Sequence, residues 1–259
     1  MEDNPLKCPI VFLFDVDGTL TAPRQPIDTA MLYFLQSLKR RVPVAVVGGS
    51  DLDKIFEQFG GSQQRDQCLA MFDFVFAENG LTGFKGRAPL PSESISKELG
   101  EAKCQELTNF CLKYMSETEL PLKRGNFVEH RNGMINVSPM GRSCSQAERD
   151  QFVLYERTTP VRSNFVDALQ QRFPTDQYRL TFSIGGQISI DIFPVGWDKT
   201  FCLRYLKMCF DKIHFFGDKT SKGGNDYEIF EHPDTVGHTV TSPEHCRAVV
   251  EKTLAELGL

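Results

Sequence analysis

Ile10-Val-Phe-Leu-Phe14-Asp15-Val16-Asp17-Gly18-Thr19 decides how this chain is read. The run Ile10 to Phe14 mixes β-branched and aromatic residues with no polar alternation, the pattern of a strand buried on both faces. Two carboxylates follow, one residue apart. At the carboxyl end of such a strand they lie where open α/β sheets bind their ligands. Neighbouring carboxylates repel and resist ionising. A divalent cation removes the conflict, and oxygen ligands suit Mg²⁺. One carboxylate is then free to attack an electrophile and form a covalent intermediate, while its neighbour handles the proton. Gly18 permits a tight turn, and Thr19 offers a hydroxyl to a phosphoryl oxygen. The plain alternative is a helix cap after a core strand, but a cap needs a single Asp and not D-x-D-G-T.

Outward from that stretch, the first third alternates strand and helix patterns. Asp28 is placed to cap a helix in which Met31, Leu35 and Leu38 recur at helical spacing. A strand from Val42 to Val47 runs into Gly48-Gly49-Ser50-Asp51, a helix spans Leu52 to Phe59, and a third strand spans Phe72 to Ala77. This alternation predicts a doubly wound parallel sheet. After Gly80 the pattern changes. Gly83, Gly86, Pro89 and Pro91 read as a linker, and a helix is expected from about Ser96 to Met115. Asn132-Gly133 between two strand-like runs predicts a hairpin. Helices flank Pro160, and strands Tyr178–Phe182 and Gln187–Phe193 meet around Gly185-Gly186. Hairpins are antiparallel, so the middle third reads as an α+β insertion. The final third returns to α/β, with a helix Asp198–Phe210, a strand Lys212–Phe216, a short strand near His238 to Val240 and a helix Pro243–Leu257. The expected division is a core (1–88), an inserted domain (89–194) and the remainder of the core (195–259).

With 259 residues, 41% of them hydrophobic, the chain can bury a sizeable core as one large domain or two modest ones. A net charge of −5 argues against nucleic-acid binding, although a local Arg cluster can still hold an anion. The eight cysteines lack C-x-x-C spacing. Cys104/Cys111 and Cys202/Cys209 are heptad-spaced, so each pair is expected to share a helix face. Buried reduced thiols suit this pattern better than zinc or disulfides. The N-terminus carries no basic-then-apolar signal, and no apolar stretch is long enough to span a bilayer. A cytoplasmic location with no membrane partner is the expectation.

Three further segments bring polar groups to strand ends. Ser50 can meet a phosphoryl oxygen at a helix N-terminus, or it can simply cap that helix. Lys199, in Trp197-Asp-Lys-Thr200, sits in the first turn of a helix, where a cation is unfavourable. Gly217-Asp218-Lys-Thr-Ser-Lys-Gly-Gly-Asn225-Asp226 supplies two more carboxylates. Asp218 is placed to bind a metal directly, and Asp226 either to ligate it or to orient a ligand. D-x-D-G-T, Ser, Lys and G-D…N-D, in that order, resemble the four motifs of the haloacid dehalogenase (HAD) superfamily. The resemblance implies that Asp15 is the nucleophile and Asp17 the general acid/base. It also implies that Mg²⁺ is held by Asp15, the Asp17 carbonyl and Asp218, on a HAD-like α/β core with an inserted α+β cap.

In the insertion, Arg131, Arg142 and Arg149 cluster around the predicted hairpin, and three bidentate forks can clamp a phosphate. Ser189 and Asp191 share one face of a strand, because side chains alternate with period two. They are placed either to receive sugar hydroxyls or to form a plain polar face. Phe14-Asp-Val-Asp-Gly-Thr-Leu-Thr21, Arg24-Gln25, Arg131-Asn-Gly-Met134, Asn136-Val-Ser-Pro139, Gly141-Arg-Ser-Cys144, Gly185-Gly-Gln-Ile-Ser-Ile-Asp191, Gly196-Trp-Asp-Lys199 and Phe215-Phe-Gly-Asp-Lys-Thr220 resemble the eukaryotic-type phosphomannomutase family over essentially the whole chain. That resemblance implies an isomerase that interconverts mannose 6-phosphate and mannose 1-phosphate and feeds GDP-mannose synthesis. Glucose 1,6-bisphosphate or mannose 1,6-bisphosphate would be its activator. It carries over Arg24, Arg131, Arg142, Arg149, Ser189 and Asp191 as sugar-phosphate contacts, and implies a homodimer formed through the caps. It also implies a second cation site using a Phe carbonyl, an Asp and a Thr. Phe230 and Thr235 match that pattern, but His232 stands where the Asp is expected, and imidazole is a poor ligand for a hard cation; Glu231 or Asp234 is the alternative donor. The same core motifs are compatible with a sugar-phosphate phosphatase. A catalytically inactive sugar-phosphate sensor would have lost the aspartates that this chain retains.

Overall fold

A computed structural model describes residues 9–23, 25–60 and 65–259. The chain divides into two compact units, one comprising the residues through Ser92 together with Gly196–Leu259, the other Glu93–Val195. It opens with β1 (Ile10–Phe14), α1 (Thr29–Leu38), β2 (Val44–Val47), α2 (Leu52–Gln58), α3 (Arg65–Met71), β3 (Phe74–Ala77), β4 (Thr82–Lys85) and β5 (Ala88–Pro89). Asp28 caps α1 by accepting from the Met31 amide at 2.7 Å, and Met31, Leu35 and Leu38 form the buried stripe of that helix. Asp51 caps α2 in the same way, accepting from the Lys54 amide at 2.9 Å. Ser50 is therefore not the residue that caps this helix.

The middle of the chain runs α4 (Ile95–Leu99), α5 (Glu101–Glu117), β6 (Val128–His130), β7 (Ile135–Val137), α6 (Gln146–Glu156), α7 (Val161–Arg172), α8 (Thr175–Tyr178), β8 (Leu180–Gly185) and β9 (Ser189–Pro194). The single helix expected from Ser96 to Met115 is broken at Gly100, whose φ of 77° only glycine adopts without strain. Cys104 and Cys111 do share the buried face of α5. The strand expected from Tyr178 begins at Leu180, because Thr175–Tyr178 closes a helical turn and Arg179 reverses the chain in the left-handed region.

After Gly196 come a 3-10 turn (Lys199–Cys202), α9 (Leu203–Leu206), β10 (Lys212–Gly217), α10 (Tyr227–Phe230), β11 (Thr235–Thr239) and α11 (Pro243–Leu257). The helix expected over Asp198–Phe210 is thus two short turns. Asp198 accepts from both the amide and the hydroxyl of Thr200, which starts a tight turn and buries Lys199 and Cys202 three residues apart. Cys202 and Cys209 consequently do not share a helix face. Cys202 is buried in the turn, and Cys209 lies beyond α9, half-buried.

Among the described residues, the first unit holds a sheet in the order β11-β10-β1-β2-β3-β4-β5. Pairing is parallel from β11 to β3 and antiparallel from β3 to β5. The glycine- and proline-marked stretch expected to be a linker is the antiparallel edge of this sheet. Gly83 lies so close to β3 that a Cβ there would meet the Val75 carbonyl oxygen at 2.4 Å, so glycine permits the pairing here and does not interrupt it. Side chains of β1 leave the sheet alternately. Phe12 and Phe14 join Met31, Leu35, Val250 and Leu254 on one face, while Val11 and Leu13 join Ala45, Val47, Leu203 and Leu206 on the other. Burial on both faces is what the unalternated apolar run requires, and it makes a three-layer α/β/α core.

In the second unit an antiparallel sheet runs β6-β7-β9-β8. Asn132-Gly133 sits in the loop between β6 and β7, which is closed by the Arg131 amide donating to Met134 at 2.9 Å. One face buries Ile135, Val137, Phe182, Ile190 and Ile192. α7 packs on β8 and β9, α5 packs on β6, and Tyr114 of α5 stacks on Phe165 of α7 at 4.2 Å. On the other face the register sets Glu129, Asn136, Asp191 and Ser183 opposite one another in a row across the four strands.

Candidate active site

The middle strands of the first sheet, β10, β1 and β2, are parallel neighbours, so their carboxyl ends emerge together. The chain departs from β1 to one side of the sheet for β2 and β3 and returns on the other side for β10 and β11. That reversal is where doubly wound sheets open a ligand crevice. Asp15 follows β1 and is fixed by its amide donating to Phe216 at 2.9 Å. Ser50 follows β2, and Asp218 follows β10. The 3-10 turn delivers Lys199, which is 1% exposed.

Lys199 Nζ donates to Asp15 and to Asp226 Oδ1, the latter at 2.5 Å. Asp226 is fully buried, and its other oxygen accepts from the Lys219 amide at 3.0 Å. Burial pushes the Asp15 carboxyl up to about 6; Lys199 opposes that rise and Asp226 adds to it. Burial works against the Lys199 ammonium, but the two carboxylates outweigh it and hold the group protonated. Asp218 is raised as well, chiefly by burial, with Lys219 opposing.

Asp15, Asp218 and Asp226 each offer a carboxylate oxygen within 4.8 Å of the others. Three carboxylates facing one ammonium leave an excess of negative charge. Asp218 Oδ1 and Thr19 Oγ1 are buried without a hydrogen-bond partner. A Cβ on Gly18, at φ 84°, would lie 2.4 Å from Asp218 Oδ2, so the D-x-D-G-T turn and Asp218 pack as one unit. Hard oxygen donors, surplus negative charge and an unpartnered buried carboxylate oxygen fit a divalent cation such as Mg²⁺.

Asp15, Asp17, Ser50, Gln58, Lys219 and Asn225 line a cavity of about 150 Å³. A larger cavity of about 620 Å³ lies along α1 to α3, but its lining has neither carboxylate nor nucleophile. Gln58 was not singled out from sequence. Its Nε2 donates to Asp17 Oδ1 at 2.8 Å and to Thr21 Oγ1 at 3.4 Å. No local pattern announces this contact, which joins residues 41 apart.

In the second unit the polar sheet face gathers most of the residues expected there. Arg131 Nη2 and Arg142 Nε both reach Glu129 Oε2, at 2.9 and 2.8 Å. Arg142 Nη1 also donates to Asn136 Oδ1 at 2.8 Å and to Ser189 Oγ at 3.3 Å. Asn136 Nδ2 donates to Asp191 Oδ1 at 2.5 Å. Arg149, in α6, donates to the Arg142 carbonyl at 3.1 Å. The Arg131 hydrogen bond, with the charge of both guanidinium groups, holds the Glu129 carboxyl below its usual range, against its partial burial. Glu129 was not expected from sequence, although its place two residues before Arg131, at the end of a strand-like run, was a usable signal. Arg24 lies outside the described residues.

The second cation site fits less well. Thr235 Oγ1 donates to the carbonyls of Ile229 and His232 at 2.6 and 3.0 Å, and Asp234 is paired with Lys207 at 2.5 Å. His232 Nδ1 accepts from the Asp234 amide at 3.2 Å. With Asp234 already neutralised by a lysine and imidazole in place of a carboxylate, this donor set does not suit a hard cation.

Among the described residues no helix is long and apolar enough to cross a membrane. The pattern of a family described as eukaryotic phosphomannomutase matches residues 31–256. A probable phosphomannomutase of Caenorhabditis elegans is 57% identical over 254 residues, covering 98% of this chain and 99% of that one. A phosphomannomutase of Spinacia oleracea is 58% identical, covering 92% and 93%. A haloacid dehalogenase-like hydrolase from Bacteroides thetaiotaomicron shares the fold at 12% identity, with a TM-score of 0.57 over 95% of this chain and 99% of that one. Identity of this extent over nearly the full length, on this fold and with these aspartates in place, makes the chain a member of the eukaryotic phosphomannomutase family.

Proposed function

We propose that this chain interconverts mannose 6-phosphate and mannose 1-phosphate through a phospho-aspartate on Asp15 and a hexose 1,6-bisphosphate. The observation that carries this reading is the buried Lys199 ammonium joined to Asp15, beside the unpartnered oxygen of Asp218. Phosphoryl transfer needs positioned charge more than covalent work by the protein. Asp15 is the nucleophile, and Lys199 orients it and offsets its charge. Asp226 spends both oxygens on Lys199 and the Lys219 amide, so it orients the lysine. Asp15, Asp218 and the Asp17 carbonyl would hold Mg²⁺, which when bound neutralises charge on the transferring phosphoryl group.

In each half-reaction a phosphoryl group moves between Asp15 and a sugar oxygen. When the sugar–phosphate bond breaks and the Asp15–phosphate bond forms, Asp17 gives its proton to the leaving sugar oxygen. In the reverse step Asp17 takes the proton of the attacking hydroxyl. Ser50 contacts a phosphoryl oxygen. Arg131, Arg142 and Arg149, with Arg24, bind the phosphate that is not being transferred, and Ser189 and Asp191 take sugar hydroxyls. Both orientations of the bisphosphate use one clamp, which accounts for an arginine cluster in a protein of net negative charge. The second unit also exposes Leu112 and Leu154, in keeping with a homodimer formed through it.

A phosphorus NMR time course with mannose 1-phosphate, Mg²⁺ and a trace of glucose 1,6-bisphosphate tests the reading. Growth of the 6-phosphate signal, dependent on bisphosphate and abolished in Asp15→Asn, is expected. Accumulation of inorganic phosphate in its place would make the protein a phosphatase, and substantial turnover by the variant would remove Asp15 as nucleophile.

A further inference from the structure

Glu78-Asn79-Gly80 follows β3 directly, and all three residues lie in the left-handed region, at φ 47°, 64° and 106°. That conformation costs free energy for a residue other than glycine, and segments that keep it cluster at functional sites. Here the turn is held from two directions. The Glu78 backbone amide donates to the Ser50 carbonyl at 2.9 Å, and the Asn79 backbone amide to the Gly48 carbonyl at 3.0 Å. The Asn79 side chain crosses to a different loop, its Nδ2 donating to the Trp197 carbonyl at 3.1 Å. Gly80 sits against Cys202, where a Cβ would meet the Cys202 Cα at 2.8 Å, and the Cys202 thiol donates to the Lys199 carbonyl at 3.1 Å. The turn therefore joins the segment carrying Ser50 to the one carrying Lys199, although the two lie far apart in sequence.

We propose that Asn79 is a positioning residue for phosphoryl transfer, fixing the Trp197–Lys199 turn against the Ser50 loop so that the lysine and the serine hydroxyl meet the same phosphoryl group. This rests on the roles given above to Lys199 and Ser50. Two demands meet at position 79. The backbone must be left-handed, a conformation that Gly, Asn and Asp adopt most readily. The side chain must also donate to a carbonyl oxygen, for which glycine has no group and a carboxylate has no hydrogen. Asparagine satisfies both. The ion pairs of Lys199 hold the tip of a long, flexible side chain, whereas the bond to Trp197 fixes the backbone from which that side chain springs. Without it the turn can shift, and a misplacement of about 1 Å is enough to slow a reaction that depends on positioned charge.

Two variants of the full chain test this, assayed with Mg²⁺, mannose 1-phosphate and glucose 1,6-bisphosphate. Asn79→Gly keeps the left-handed backbone and removes the donor. Asn79→Asp keeps the shape and turns an acceptor toward the Trp197 carbonyl. In both, kcat is expected to fall roughly 10- to 100-fold, while KM for mannose 1-phosphate stays within about twofold of the parent chain. Trp197 is the one tryptophan of the chain and is 7% exposed, so its fluorescence reports on this turn directly. Its emission should shift to longer wavelength in both variants, at urea midpoints that leave the chain folded. An unchanged kcat, or a lowered kcat with Trp197 emission unmoved, overturns the inference. So does a parallel worsening of kcat, KM and urea midpoint, which would make the turn a support for the fold alone. If the parent chain shows no mutase turnover, the proposed function itself fails, and this inference with it.

Discussion

Lys199 shows how little a single residue's place in the sequence says about its energy. In the first turn of a helix a lysine opposes the dipole and is usually solvated. Here it is withdrawn from water between Asp15 and Asp226. Desolvation of three ionised groups is costly, and the arrangement holds because each charge has a partner within hydrogen-bond distance. Removing the cation alone leaves two buried carboxylates facing each other. Lys199→Met is therefore expected to lose about 3–5 kcal/mol of stability in urea unfolding without divalent cations, part of it recovered on adding Mg²⁺. A loss below about 1 kcal/mol would contradict the picture of a buried, interdependent triad. The motif order marked Lys199 from sequence. Its bond to Asp226 could not be read there, because it depends on where two separate loops come to rest.

The β6–β7 hairpin was legible because Asn-Gly sits between two strand-like runs, and the shared face of Ser189 and Asp191 followed from alternation alone. What alternation could not supply was cross-strand register. Register sets Glu129 against Asn136 and Asn136 against Asp191, and so carries one polar row across the sheet. Arg142 is held into this row by Glu129, Asn136 and Ser189. A hydrogen bond to a charged group contributes about 1.5–3 kcal/mol. Arg142→Ala should therefore weaken mannose 1-phosphate binding about 10- to 100-fold by calorimetry, with Mg²⁺ affinity unchanged within about twofold. Equal losses of both would show that the arginine supports the fold and not the clamp. Gly83, Gly86 and Pro89 mark the limit of reading by composition. The same residues punctuate a linker or a tight antiparallel edge, and only the proximity of β3 selected the edge.

Across the whole molecule, the parallel sheet also carries a histidine pair on β10 and β11, beside Phe216. His214 on β10 packs against Phe12 and lies 3.0 Å, Nδ1 to Nε2, from His238 on β11. Burial, then His238 and Lys212, push His214 down to about 4. His238 is lowered as well, by burial, with Glu256 opposing. An unfolded histidine takes its proton near 6.5. Between that pH and about 4 the unfolded chain binds a proton that the folded chain refuses, so stability is complete above the upper value and falls as pH drops. The loss attributable to His214 approaches about 2–3 kcal/mol near pH 4. Urea midpoints measured from pH 7 to pH 4.5 should fall less steeply for His214→Phe than for the parent chain. Parallel slopes would show that the pair does not govern acid sensitivity.

By itself the sequence determined the α/β core, the antiparallel insertion, the cap at Asp28, the helix from Pro243, and the order of the aspartates and of Lys199 along the chain. Each is a local matter of periodicity, turn chemistry or contiguous motif. Only the tertiary structure decided that Asp51 and not Ser50 caps α2, that Gln58 grips Asp17, that Glu129 joins Arg131 and Arg142, and that Asp234 is paired with Lys207. Those outcomes rest on contacts between separate segments. Their energies depend on burial and register, which no single stretch of chain encodes.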